Sequence, residues 1–175
     1  TFLLHDGLLD VDLELNYTLF ADKPTLARSA RFVNKGNLDL HLTHAMSLSL
    51  DLPDSGYEFV HFSGAWSRER HMKVRKLEMG IQSVESTRGT SSHNHNPFVI
   101  LKRPETTEFS GEAIGFSLVY SGNFLAQAEV DTWGTTRLTM GINPFQFDWK
   151  LAPGESFQTP EAVMVYSTTG LNGMS

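Results

Sequence analysis

Apolar and polar residues alternate with a period of two along most of the chain. Leu9, Val11, Leu13 and Leu15 interleave with Asp10, Asp12, Glu14 and Asn16, the pattern of a half-buried strand with an acidic outer face. The longest case is Leu38 to Leu52, whose even positions are apolar apart from His44. A single strand of that length exceeds the usual size, so the pattern predicts a bend or bulge near His44 and Ala45. Further strands are predicted at Thr25–Val33, Tyr57–Phe62, Ile81–Ser86, Phe98–Lys102 and Ala113–Tyr120. Others follow at Phe124–Trp133, Arg137–Ile142, Phe145–Leu151 and Ala162–Tyr166.

Turn-forming residues separate these runs: Asn34-Lys35-Gly36-Asn37, Pro53-Asp54-Ser55-Gly56, Asn143-Pro144 and Pro153-Gly154-Glu155. Ser121-Gly122-Asn123 and Gly134-Thr135 each read as the turn of a hairpin. No window carries a clear helical stripe; His71 to Met79 is the one segment whose period is ambiguous. Many short strands at a spacing of about ten residues predict an all-β antiparallel sandwich with little helix, in one domain.

Composition adds a core and removes several partners. The chain has 175 residues, 40% of them hydrophobic, with 12 Phe, 4 Tyr and 3 Trp to fill the interior. A net charge of −6 argues against a nucleic-acid partner and against an anionic membrane surface. No apolar run reaches the roughly 18 residues of a membrane-spanning helix. There is no cysteine, so neither disulfides nor thiolate chemistry are available, which fits a reducing, cytoplasmic setting. The chain opens at Thr1-Phe2-Leu3-Leu4 already inside strand-like sequence, and so reads as a segment of a longer protein.

Two stretches carry candidate chemistry. Ser63 to Lys76 holds five of the 14 basic residues: Arg68, Arg70, Lys73, Arg75 and Lys76, with Trp66 beside them. Arginine forks and an indole ring suit carboxylates or sugars, while the plainer reading is an edge strand guarded by charge. Arg88 to Phe98 is a polar loop in which His93 and His95 share a face if extended; two ligands without a third make a weak metal pair. The alternative is a hydrogen-bonded loop that lines a pocket or docks on a neighbour. Glycoside hydrolysis needs two carboxyl groups. Asp10, Asp12 and Glu14 read as a solvent face, Glu69 as an ion-paired residue between two arginines, and Asp131 and Asp148 single out no pair.

The stretch His61 to Phe98, HFSGAWSRERHMKVRKLEMGIQSVESTRGTSSHNHNPF, is similar to the N-terminal domain of α-galactosidases of glycoside hydrolase family 36. The resemblance extends to YTLFADKPTLARSARFVN, MSLSLDLPD and INPFQFDWKLAPGESFQTPEAVMVYSTTGLNGMS, and so runs along nearly the whole chain. It implies a piece of a β-supersandwich that precedes a (β/α)₈ barrel in a retaining enzyme acting on melibiose- and raffinose-type sugars. Both catalytic aspartates belong to that barrel, so the resemblance places no catalytic residue in this chain and implies no metal or organic cofactor. It also implies a homo-oligomer, a tetramer in bacterial members. Trp66, Arg68, Arg70, His93 and Asn94 are the candidate contacts to the barrel or the sugar pocket, with loop fastening inside the sandwich as the competing role. A free-standing galactoside-binding module using Trp66 and Trp133, or a purely structural interaction domain, are the rival functions.

Overall fold

The computed structural model describes residues 1–174, and strands take 57% of the chain against 2% helix. In chain order the strands are β1 (Phe2–Asp6), β2 (Val11–Leu19), β3 (Thr25–Asn34), β4 (Leu40–Leu42) and β5 (Met46–Leu52). Next come β6 (Glu58–Ala65), β7 (Arg68–Lys76), β8 (Gly80–Glu85), β9 (His95–Lys102) and β10 (Ala113–Leu118). Then follow β11 (Phe124–Val130), β12 (Thr136–Ile142), β13 (Trp149–Leu151), β14 (Ser156–Gln158) and β15 (Ala162–Ser167). A short 3-10 turn, Leu171–Met174, closes the described chain.

Among the described residues, one sheet runs in the order β1-β2-β3-β15-β10-β9-β6-β7, with β14 also pairing β3. A second runs β5-β12-β11-β8, and β13 pairs β4 alone. All of these ladders are antiparallel. The large and the four-stranded sheets face each other across a core that includes Phe59, Leu101, Phe116, Phe124, Leu138 and Met140, each fully buried. Side chains of this size contribute about 1.5–3 kcal/mol each when taken from water. The run Phe98-Val99-Ile100-Leu101 is apolar at every position because β9 is covered on both sides. Val99 and Leu101 enter the main core, while Ile100 joins Val60 and Ala113 on the outer face under Leu171 and Met174.

The structure corrects several details of the pattern. Leu38–Leu52 is two strands rather than one: residues 43–45 carry no strand, and β4 and β5 go to different sheets. Phe145–Leu151 contracts to β13, because Asn143 Oδ1 accepts the Phe145 N–H at 2.9 Å and Pro144 O accepts that of Phe147 at 3.1 Å, a local turn. Gly134-Thr135 does close a hairpin between β11 and β12. Ser121-Gly122-Asn123 does not: β10 lies in the large sheet and β11 in the small one, so this turn crosses between layers. Of the ambiguous segment His71 to Met79, the residues through Lys76 are strand, the continuation of β7, and residues 77–79 carry no strand. Asp12 is not a solvent-facing carboxylate; it is 5% exposed and held by Lys35 and by His5 Nδ1 at 2.8 Å.

Candidate functional site: the basic edge of the large sheet

β6 and β7 form a hairpin at the end of the large sheet. Ala65 pairs with Arg68, which leaves Trp66 and Ser67 as the turn. Ser67 adopts φ 63°, and its N–H donates to Glu69 Oε1 at 2.8 Å. Glu69 therefore closes the turn; among the described residues it makes no ion pair with Arg68 or Arg70. Below the turn, Ser63 faces His71, so three steps on β7 oppose two on β6. The extra residue is absorbed where Arg70 takes φ 59°, a bulge of the kind that re-aims side chains. Gly64 permits the close approach: a Cβ there would stand 2.3 Å from the Arg68 carbonyl oxygen. Its N–H donates to Asn94 O at 3.1 Å, tying the polar loop to the hairpin.

Beyond the bulge, His71, Lys73 and Arg75 face the same side as Ser63, His61 and Phe59, the side of the main core. Met72 and Val74 face the outer side with Phe62 and Val60. Every residue of β7 is exposed, as an edge strand with a cationic guard requires.

Two hollows flank this hairpin. The larger, about 550 Å³, is lined by Ser63 to Ala65, Arg68, His71, Lys73, Asn94 and His95. The smaller, about 280 Å³, lies on the outer side among Phe62, Arg70, Asn96 and Phe98. The nominated residues therefore separate. Arg68 and Asn94 share one cleft, and Arg88 Nη1 donates to Asn94 Oδ1 at 3.0 Å. Arg70 opens onto the opposite face. Trp66 stands at the hairpin tip, 83% exposed. His93 is exposed on the loop and lines neither hollow.

Of the loop histidines, the one that enters the cleft is His95, whose ring lies 5.9 Å from that of His61. His61 is 2% exposed, and burial together with the Arg75, His95 and Lys73 charges pushes its pKa down to about 4. His95 is also shifted down, first by burial and then by Arg75 and Arg88. Among the described residues, neither ring nitrogen of His61, nor Nδ1 of His95, has a hydrogen-bond partner. Sequence reasoning passed over His61 because it occupies an inward position, after Tyr57 and Phe59, where an apolar residue is expected. The parity of that run was the available signal.

Among the described residues no carboxylate lines the cleft. The acidic residues singled out by sequence are engaged elsewhere. Asp131 accepts the N–H groups of Trp133 and Thr135 at 2.9 and 2.8 Å, and Asp148 meets His41 at 2.6 Å. Among the described residues no group of three or more His, Asp and Glu is arranged to hold a metal.

Fold and edge together define an all-β domain of two facing antiparallel sheets. Residues 1–152 match the family described as the glycosyl hydrolase family 36 N-terminal domain, and the chain belongs to that family. The curated relatives are α-galactosidases. Alpha-galactosidase AgaA of Geobacillus stearothermophilus is 55% identical over 98% of this chain and 24% of its own length. Alpha-galactosidase 2 of Hypocrea jecorina is 44% identical over 98% of this chain and 23% of its own length. A solved structure of an AgaA variant in complex with stachyose matches with a TM-score of 0.97 at 54% identity, over 98% of this chain and 24% of that one. The same protein has been solved in complex with raffinose. The chain thus spans about a quarter of the length of the relatives it matches.

Proposed function

We propose that this chain is the non-catalytic β-sandwich of an α-galactosidase that releases terminal α-galactosyl residues from raffinose- and melibiose-type sugars. The match itself carries the reading: 55% identity to an α-galactosidase along 98% of this chain, yet over only 24% of that enzyme. The geometry supports the non-catalytic part. Cleavage of a glycoside takes an acid and a nucleophile or base on two carboxyl groups, and among the described residues the lining of the cleft at the basic edge, Ser63 to Ala65, Arg68, His71, Lys73, Asn94 and His95, holds no carboxyl group. The sandwich then acts by holding a (β/α)₈ catalytic barrel, supporting a homo-oligomer, and lending Trp66, Arg68 and Asn94 to a contact with the barrel or the rim of the sugar pocket. These three stand at one end of the large sheet, where a neighbouring body meets exposed side chains rather than sealed core.

The test uses the full-length parent enzyme and the 175-residue chain side by side. The parent hydrolyses raffinose and the chain alone does not; turnover by the chain would overturn the reading. Trp66→Ala and Arg68→Ala in the parent raise KM with little change in kcat if they edge the pocket, and lower assembly or stability with KM unchanged if they only join domains.

One observation favours a second reading, a module that binds galactosides unaided. The Trp66 and Trp133 rings are 83% and 89% exposed, free to stack on a sugar face. Calorimetric titration of the chain with raffinose separates the two: binding abolished by Trp66→Ala establishes the module, and no heat of binding removes it.

A further inference from the structure

Among the described residues, six of the nine basic side chains outside β7 find acidic partners. Arg31, Lys35, Lys102, Arg103, Arg137 and Lys150 each meet a carboxylate. On β7 the pattern stops. Among the described residues, the side chains of Arg68, Lys73 and Arg75 make no ion pair and no hydrogen bond, although Lys73 and Arg75 share a face with His61. Beneath them lies a second deficit. An imidazole carries two nitrogens that each need a partner when buried. Among the described residues His61, 2% exposed, has none for either, and His95 has none for Nδ1; these nitrogens are sealed beneath the cleft surface. The cleft that exposes His95 is lined by Arg68, His71 and Lys73 and by no acid. The Glu85 carboxylate acts electrostatically on His95 and also accepts from Asn143 Nδ2 at 2.9 Å.

We infer that this cleft, floored by His95 over His61 and walled by Arg68, His71 and Lys73, is a binding site for an oxyanion of the phosphate or carboxylate class. An oxyanion has several acceptor oxygens, so one group answers the Arg68 and Lys73 charges together in a cleft whose wall His95 also forms. A neutral hydroxyl group satisfies hydrogen bonds but leaves the charge uncompensated. At about 550 Å³ the cleft exceeds a bare inorganic ion, so the natural occupant carries its charge on a larger polar body. That body is either a free organic anion or an acidic side chain of the parent enzyme. The assignment does not rest on the α-galactosidase reading, and either stands if the other fails.

The probe is inorganic phosphate, titrated into the 175-residue chain while the imidazole signals of His61 and His95 are followed by NMR. Saturable shifts of both are expected, with binding weakened at least about fivefold in Lys73→Gln and in Arg68→Gln. Lys76→Gln serves as the control, because Lys76 pairs in register with Glu58 on the outer face; it leaves binding unchanged. These exposed edge positions tolerate the change, and retained signal dispersion shows that each variant folds. Absence of saturation, or an equal loss in Lys76→Gln, overturns the proposal. Repeating the titration on the full-length parent separates the sources. Shifts there as well identify a free anion, and loss of response only in the parent identifies one of its own acidic side chains as the occupant.

Discussion

Arg103 holds Asp54 through two N–H···O bonds, Nη1 to Oδ1 at 2.6 Å and Nη2 to Oδ2 at 3.1 Å, while its guanidinium lies 3.9 Å from the centre of the Tyr57 ring. Its Nε also donates to Glu112 Oε2 at 3.1 Å. One side chain therefore joins the turn before β6 to the segment that follows β9. The guanidinium holds the Asp54 carboxyl below its usual range. Arg103→Ala is expected to cost about 1–2 kcal/mol, the scale of a partly exposed charge-assisted pair with a stacked ring. Urea unfolding at pH 7 measures it; because the Asp54 pKa is lowered, the deficit shrinks as pH falls through and below 3.8. An unchanged midpoint would show the cluster to be ornamental.

Asn34 is fully buried at the end of β3 and answers three backbone groups at once. Its Nδ2 donates to Leu38 O at 2.8 Å and Leu151 O at 2.9 Å, and its Oδ1 accepts from the Gly36 N–H at 3.0 Å. Asn34→Ala leaves all three without that partner and is expected to destabilise by about 2–4 kcal/mol. Thermal denaturation of the variant checks this, and a loss within experimental error of zero counts against the assignment.

Gly64 sets the geometry of the basic edge. A methyl group there meets backbone, not a flexible side chain: the Arg68 carbonyl oxygen at 2.3 Å and the Glu69 Cα at 2.7 Å. Gly64→Ala is expected to force β6 and β7 apart at the bulge at a cost of about 1–3 kcal/mol. Hydrogen exchange should show faster amide exchange confined to the hairpin and to the Asn94 loop. Unaltered protection of those amides would contradict it.

His61 makes stability depend on pH in a defined direction. Its pKa in the fold is about 4, below the unfolded value of 6.5, so between these pH values the unfolded chain takes up a proton that the folded chain refuses. Stability is therefore present above pH 6.5 and falls as pH drops toward 4, by up to roughly 3 kcal/mol for a shift of this size. His95, also lowered, adds a contribution of the same sign. Melting temperatures recorded across this range should decline for the native chain and decline less for His61→Phe. Parallel profiles would mean that other groups control the acid limb.

Much of the sandwich was legible from alternation alone, since a strand exposes successive side chains to opposite faces whatever lies beside it. Thr25–Val33, Ile81–Ser86 and Arg137–Ile142 sit within a residue of β3, β8 and β12 for that reason. Strand β7 was ambiguous because an edge strand is exposed on both faces and shows no apolar stripe. Family membership was also legible, because it lies in the order of residues along His61 to Phe98.

What alternation cannot convey is which strand lies beside which. Ser121-Gly122-Asn123 has the chemistry of a hairpin turn, and only packing sends β10 and β11 to different sheets. The site shows the same division. Sequence placed Trp66, Arg68, Arg70, His93 and Asn94 in two polar stretches, and the first of these lies along one basic edge. The bulge at Arg70 turned that residue to the opposite face from Arg68, and the pairing of Ser63 with His95 brought His95 rather than His93 against His61. Register and bulges are relations between segments far apart in the chain, determined by the burial of whole faces, so they exist only once the sheets have closed.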